Sequence, residues 1–173
     1  MYVVLLRGVN LAGRRVPSAE LKEVATGLGH QQVSTYINSG NVICSSDLAP
    51  SELEAGFEEA LADRFGFAVD VVVRSGAELA AVVAANPFPD GDPKQVQVGF
   101  TKTPIDPKAA GRIAALASEQ ERFELADREA YVDFAGGLAK SKLAAALPKV
   151  IGQTTTSRNI RTVTKLAELA AAS

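Results

Sequence analysis

Two short stretches near the start of the chain carry side chains suited to holding an anion. The first is Arg7-Gly8-Val9-Asn10-Leu11-Ala12-Gly13-Arg14-Arg15, with three guanidinium groups, one amide and two glycines. The second is Tyr36-Ile37-Asn38-Ser39-Gly40-Asn41. Arginine forks match the geometry of phosphate and carboxylate, and backbone N–H groups freed by glycine can join them. Arg7, Asn10, Arg14 and Arg15 on one loop, with Tyr36, Asn38, Ser39 and Asn41 on the other, therefore make a chemically sensible anion cradle. In the competing reading the asparagines fix turns and the arginines are solvated or bridge nearby carboxylates.

Gly8 and Gly13 have the spacing of a phosphate loop, but the Lys-Ser/Thr pair that must follow is Arg14-Arg15. Without the lysine for the terminal phosphates and the hydroxyl for magnesium, nucleotide triphosphatase chemistry lacks its parts. Val16-Pro17 also delays the helix that a phosphate loop needs at once. Lys142, Arg158 and Asn159 form further polar points at expected helix starts, where anions are favoured. Ser157 or Asn159 can equally cap the last helix.

Other chemistries have less to work with. His30 is the only histidine and Cys44 the only cysteine. That excludes a thiolate–imidazole zinc site and any internal disulfide, and no metal site or cofactor is expected. His30 follows a helix-ending glycine and is expected to cap that helix or face solvent. Cys44 is expected in the core, and the Glu58-Glu59 pair on a helix surface. No serine or cysteine is placed beside a histidine for nucleophilic catalysis, and no general base is evident. Tyr36, Tyr131, Phe123 and Phe134 fall in strands, but the motif of RNA-binding sheets is absent.

Hydrophobic residues make up 47% of the 173 and charged residues 22%, a globular mixture long enough for a sizeable core. Net charge is -2 and unevenly spread. Residues 1–45 hold four basic and two acidic side chains, residues 46–133 hold 8 and 17, and residues 134–173 hold six and one. Basic ends around an acidic middle direct an anion to the ends, while overall acidity disfavours a tight non-specific nucleic-acid binder. No charged leader with an apolar run and cleavage site is read, and no apolar run approaches membrane-spanning length. The expected compartment is the cytoplasm.

The elements that must position these residues follow from periodicity. Tyr2–Leu6 reads as a buried strand. A helix with Ser18 as N-cap follows, with Leu21, Val24, Ala25 and Leu28 as its stripe. Residues 32–37 and 41–45 read as a hairpin turned at Asn38-Ser39-Gly40. Ser51 and Glu54 form an expected capping box for a helix ended by Gly66, and residues 69–73 give a further strand. This βαββαβ order is the ferredoxin-like unit, in which the third strand lies beside the first. The loop after the first strand and the hairpin turn therefore share one end of the sheet.

A second pass begins with the capping box Ser75-Gly76-Ala77-Glu78 and includes strands near 95–100, 123–125 and 130–134. Helices are expected over 106–116 and 140–147, with a last helix after Thr154–Ser157. The expected fold class is α+β: two ferredoxin-like halves, about 1–75 and 76–150, packed as one body with a basic segment and helix over 151–173.

Several stretches, in order, resemble one bacterial family. They are Leu5-Leu6-Arg7-Gly8-Val9-Asn10, Tyr36-Ile37-Asn38-Ser39-Gly40-Asn41-Val42, Ala85-Asn86-Pro87-Phe88, Ser141-Lys142-Leu143 and Thr156-Ser157-Arg158-Asn159 with Thr162-Val163-Thr164-Lys165-Leu166. The chain resembles the domain of unknown function 1697, which usually carries glutamine where this chain has Asn38. The resemblance implies a compact α+β bacterial protein and brings no activity with it. The residues favour a binding module for a small phosphate- or carboxylate-bearing ligand. A nucleic-acid binder using the basic ends and an enzyme on an anionic substrate are the rivals.

Overall fold

A computed structural model describes residues 1–173. The chain divides into two compact units, residues 1–80 with 165–173, and residues 81–164. Each contains one four-stranded antiparallel sheet.

The first unit runs β1 (Tyr2–Leu6), α1 (Ser18–Gly27), β2 (Gln31–Thr35), β3 (Asn41–Ser45), α2 (Pro50–Phe65) and β4 (Val71–Ser75). Its strand order is β2-β3-β1-β4, so β3 does lie beside β1 as the βαββαβ pattern requires. Val4, Leu6, Val42, Cys44, Val71 and Val73 pack with Leu21 and Ala25 of α1 and with Leu53, Phe57 and Leu61 of α2. Val3, Leu5, Ile43 and Val72, on the opposite face, are equally buried. Burial on both faces is why these strands read as unbroken apolar runs rather than alternating ones.

β4 is an edge strand whose outward N–H groups need partners. Glu58 and Glu54 of α2 supply them, accepting from Val71 N at 2.9 Å and Val73 N at 3.0 Å. Glu58 is therefore not merely a solvated helix residue, and Glu54 is not in a capping box. The start of α2 is shifted and only half of a box forms: Ala49 is the N-cap with no side-chain acceptor, and its N–H donates to Glu52. Pro50 causes the shift, because a proline fits the first helical turn and starts the helix before Ser51. The box over Ser75–Glu78 forms as read, with Glu78 N donating to Ser75 Oγ and Ser75 N donating to Glu78.

His30 caps the end of α1 as one expectation had it, its N–H donating to Ala25 O at 3.3 Å, but its side chain does not face solvent. It is buried, with its ring stacked on Phe57 at 5.3 Å between centroids. Burial lowers its pKa from 6.5. Cys44 is fully buried as expected, and burial pushes its thiol up to about 11.

α3 (Gly76–Ala84) leads to the second unit, which holds β5 (Val96–Thr101), α4 (Ala109–Leu116), β6 (Glu121–Leu125), β7 (Glu129–Phe134), α5 (Lys142–Ile151) and β8 (Thr155–Asn159). The order β6-β7-β5-β8 repeats that of the first unit. Its core gathers Ile113, Val132, Phe134, Leu143, Leu147 and Ile151. α6 (Ile160–Ala171) closes the chain, with Val163, Leu166, Ala167 and Ala170 buried along one face. β8 is the element that sequence reading misses. Its residues, Thr-Thr-Ser-Arg-Asn, are all polar, yet they pair with β5 over five positions. The central contact is Gly99 against Ser157, and a Cβ on Gly99 would stand 2.9 Å from a Thr155 methyl.

Candidate functional site

The loop after β1 and the β2–β3 turn meet at one end of the first sheet. Asn10 makes the join. Its Nδ2 donates to Asn38 O at 2.8 Å, and its Oδ1 accepts from Val16 N at 2.9 Å. Ser18 Oγ adds a bond to Asn38 Oδ1 at 2.7 Å. Ser18 is thus not the N-cap of α1. Pro17 occupies that place and offers no side-chain bond. The first N–H groups of α1 are therefore left to solvent or a ligand.

Between Asn10 and Val16 the chain makes a tight turn. Arg14 N donates to Leu11 O at 2.7 Å, with Ala12 at φ 34° and Gly13 at φ 83°. Two successive positive φ values are the type I′ pattern, easy for glycine and costly for alanine. In the facing turn Gly40 has φ 72° and is pressed against Val9 and Leu6. A Cβ there would lie 2.7 Å from Val9 Cγ2 and 2.8 Å from Leu6 Cβ.

The result is a groove of about 470 Å³ lined by residues 10–18 and Asn38. That size suits a small molecule. The loop's three arginines have different duties, and Arg7 does not line the groove. Arg14 turns inward: Nε donates to Gly8 O at 2.8 Å, a terminal nitrogen donates to Ala68 O, and the guanidinium lies 4.6 Å from the Phe67 ring centroid. Arg7 is paired with Asp70 at 3.3 Å. Arg15 is exposed, lines the groove and makes no hydrogen bond or ion pair. Glu20, the acid in the first turn of α1, is held by Arg64 at 3.1 Å.

The remaining residues of the expected cradle have structural surroundings. Tyr36 engages Asn41 through its backbone, accepting from Asn41 Nδ2 at 3.1 Å. Asn41 is fully buried within β3 rather than facing the groove, and Ser39 is half-buried in the turn. Leu11, Ala12, Val16 and Pro17 line the groove without having been expected there. The sequence signal for them was weak, since apolar side chains in a polar loop do not announce a surface.

In the second unit, Lys142 is the exposed first residue of α5, with Ser141 as N-cap accepting from Ala144 N. Lys140 and Lys142 line a second groove, also of about 470 Å³, together with Glu121. Arg158 is not at a helix start. It sits buried in β8, donating to Thr156 Oγ1 at 3.0 Å and to Ser157 O at 2.9 Å, and burial pushes its pKa down to about 10. Asn159 caps α6, accepting from Thr162 N at 2.8 Å. A third cleft holds Arg122 between Asp133 at 2.6 Å and Asp90 at 3.3 Å. Hydrogen bonding to Arg122 lowers the Asp90 pKa. No cluster of three histidine, cysteine or acidic side chains could hold a metal, and no helix is long and apolar enough to cross a membrane.

Comparison with known proteins agrees with the fold and with the family resemblance. Residues 1–131 match the family described as protein of unknown function, DUF1697. The chain belongs to the DUF1697 family. A solved structure of a conserved bacterial protein from Streptococcus pneumoniae, 22% identical, shares the fold with a TM-score of 0.75. The match covers 98% of this chain and 97% of that one. No curated protein matches in sequence. The family match includes the whole of the Asn10–Ser18 groove and Asn38, whereas Lys142, Arg158 and Asn159 lie beyond the matched residues.

Proposed function

We propose that this DUF1697 protein is a binding module for a small anionic ligand, seated in the groove between Asn10 and Ser18. The observation that carries this reading is Arg15, an exposed cation with no partner beside a helix amino end with no side-chain cap. Helix amino ends and unpaired arginines both favour phosphate or carboxylate. Arg14 positions the loop, and Arg7, held by Asp70, contributes little to the ligand.

Binding suits the groove better than turnover. None of its lining residues is a carboxylate, histidine or cysteine, so none can act as a general base near neutral pH. A small ligand also fits better than a nucleic-acid strand, since one free guanidinium neutralises one phosphate and strand binders engage many. The same reading takes the protein to be bacterial and cytoplasmic.

Calorimetric titration with inorganic phosphate tests the reading. Arg15→Ala should weaken binding about tenfold or more, the loss expected for a charge-assisted hydrogen bond. Arg7→Ala should change it less than threefold, on the order of an exposed ion pair's worth. No heat of binding in the natural protein, or equal binding by Arg15→Ala, would remove the proposal.

A further inference from the structure

Resting on the anion site just proposed, the geometry points to an amphiphilic ligand: a phosphate or carboxylate joined to an apolar group that lies over Leu11 and Ile37. Leu11 and Ile37 are the two most exposed large apolar side chains in the chain, at 63% and 52%. Leu11 lines the groove, and Ile37 immediately precedes Asn38, which also lines it. One hydrogen bond ties the two stretches together, since Asn10, which precedes Leu11, donates to O of Asn38, which follows Ile37.

Neither exposure follows from a need to fold. Ile37 has φ 50°, a conformation costly for a β-branched residue, and it gains little burial in return. Asparagine would take that backbone more readily. Of the four non-glycine residues with positive φ, Asn10, Ala12 and Ile37 belong to these two loops. Such strain, held by surrounding bonds, is a feature of ligand clamps. Ala12, Val16 and Pro17 extend the apolar lining, while Arg15 supplies charge of the opposite sign to the ligand.

The occupant is a free small molecule. The groove has room for one, and a single unpartnered arginine matches one anionic group. An inorganic anion would leave the Leu11 side unused. An apolar substituent removes that surface from water and gains affinity without new charge.

Paired titrations with inorganic phosphate and phenyl phosphate measure the effect. Phenyl phosphate should bind about tenfold tighter or more, as burial of a few methylene-sized groups implies. Leu11→Ser and Ile37→Asn should each shrink that ratio toward one, and Ile37→Asn should raise the melting temperature as the backbone relaxes. Equal binding of the two phosphates by the natural protein would overturn the inference while leaving the anion site standing. A ratio untouched by both substitutions would do the same. If neither phosphate binds, the underlying site fails and this inference with it. Co-sedimentation with phosphatidylglycerol vesicles, without phenyl phosphate binding, would replace the small molecule with a membrane surface.

Discussion

Replacing Asn10 should destabilise the first unit in a way that separates its hydrogen bonds from its backbone. Asn10→Ala removes the bond to Asn38 O and the acceptor for Val16 N. At about 0.5–1.5 kcal/mol for each bond, the pair accounts for about 1–3 kcal/mol. The residue also has φ 58°, which asparagine tolerates and alanine does not, adding about 1 kcal/mol. The alanine variant should therefore lose about 2–4 kcal/mol. Asn10→Gly loses the same bonds without the left-handed penalty, so it should cost about 1 kcal/mol less. Asn10→Asp keeps the acceptor for Val16 but sets a carboxylate against Asn38 O, and should also lose about 1–3 kcal/mol. Urea unfolding followed by far-UV circular dichroism reads each loss from the midpoint at constant slope. A loss under about 0.5 kcal/mol for Asn10→Ala, or glycine costing as much as alanine, would refute the view that this residue ties the two loops and bears left-handed strain.

Three other outcomes follow from the packing. Gly40→Ala should cost about 2–5 kcal/mol by urea unfolding, because its Cβ meets Val9 and Leu6 at 2.7 and 2.8 Å on a left-handed backbone. His30 is held neutral by burial, with its folded pKa below 6.5, so its contribution is complete above that value and is lost as pH falls through it toward the folded pKa. Stability measured across that range should decline on acidification, and His30→Phe, which keeps the stack on Phe57, should flatten the His30 component. Cys44, buried with its thiol raised to about 11, should react with a disulfide reagent at mild alkaline pH only as fast as the protein opens, and readily in denaturant.

Much of the fold was legible because pattern and chemistry agreed. The apolar run of β1, the β2–β3 hairpin, the Gly66 stop and the Ser75–Glu78 box each state their structure locally. Chain order then placed β3 beside β1, and so put Asn10 near Asn38. β8 was illegible because all five of its residues are polar, and its β-branched threonines were the only hint of a strand. Arg158 was misplaced with it, since a buried arginine in a strand is indistinguishable in sequence from a basic residue at a helix start. The burial of the His30 ring was not legible because stacking on Phe57 is a contact between residues 27 apart in the chain. In the loop itself, the number of arginines was misleading. Carbonyls of Gly8 and Ala68 claim Arg14, and Asp70 claims Arg7. Ala68 and Asp70 lie 54 and 63 residues further along the chain than the arginines they hold, a relation that residue spacing within the loop does not contain.

The central claim is that Arg15 and the open start of α1 hold the anion. Amide NMR spectroscopy during a phosphate titration tests it most directly. Shifts should concentrate on residues 12–19 and need about tenfold more phosphate, or higher, in Arg15→Ala. A titration that leaves those amides unmoved, or moves those around Lys140 and Lys142 instead, would contradict the account.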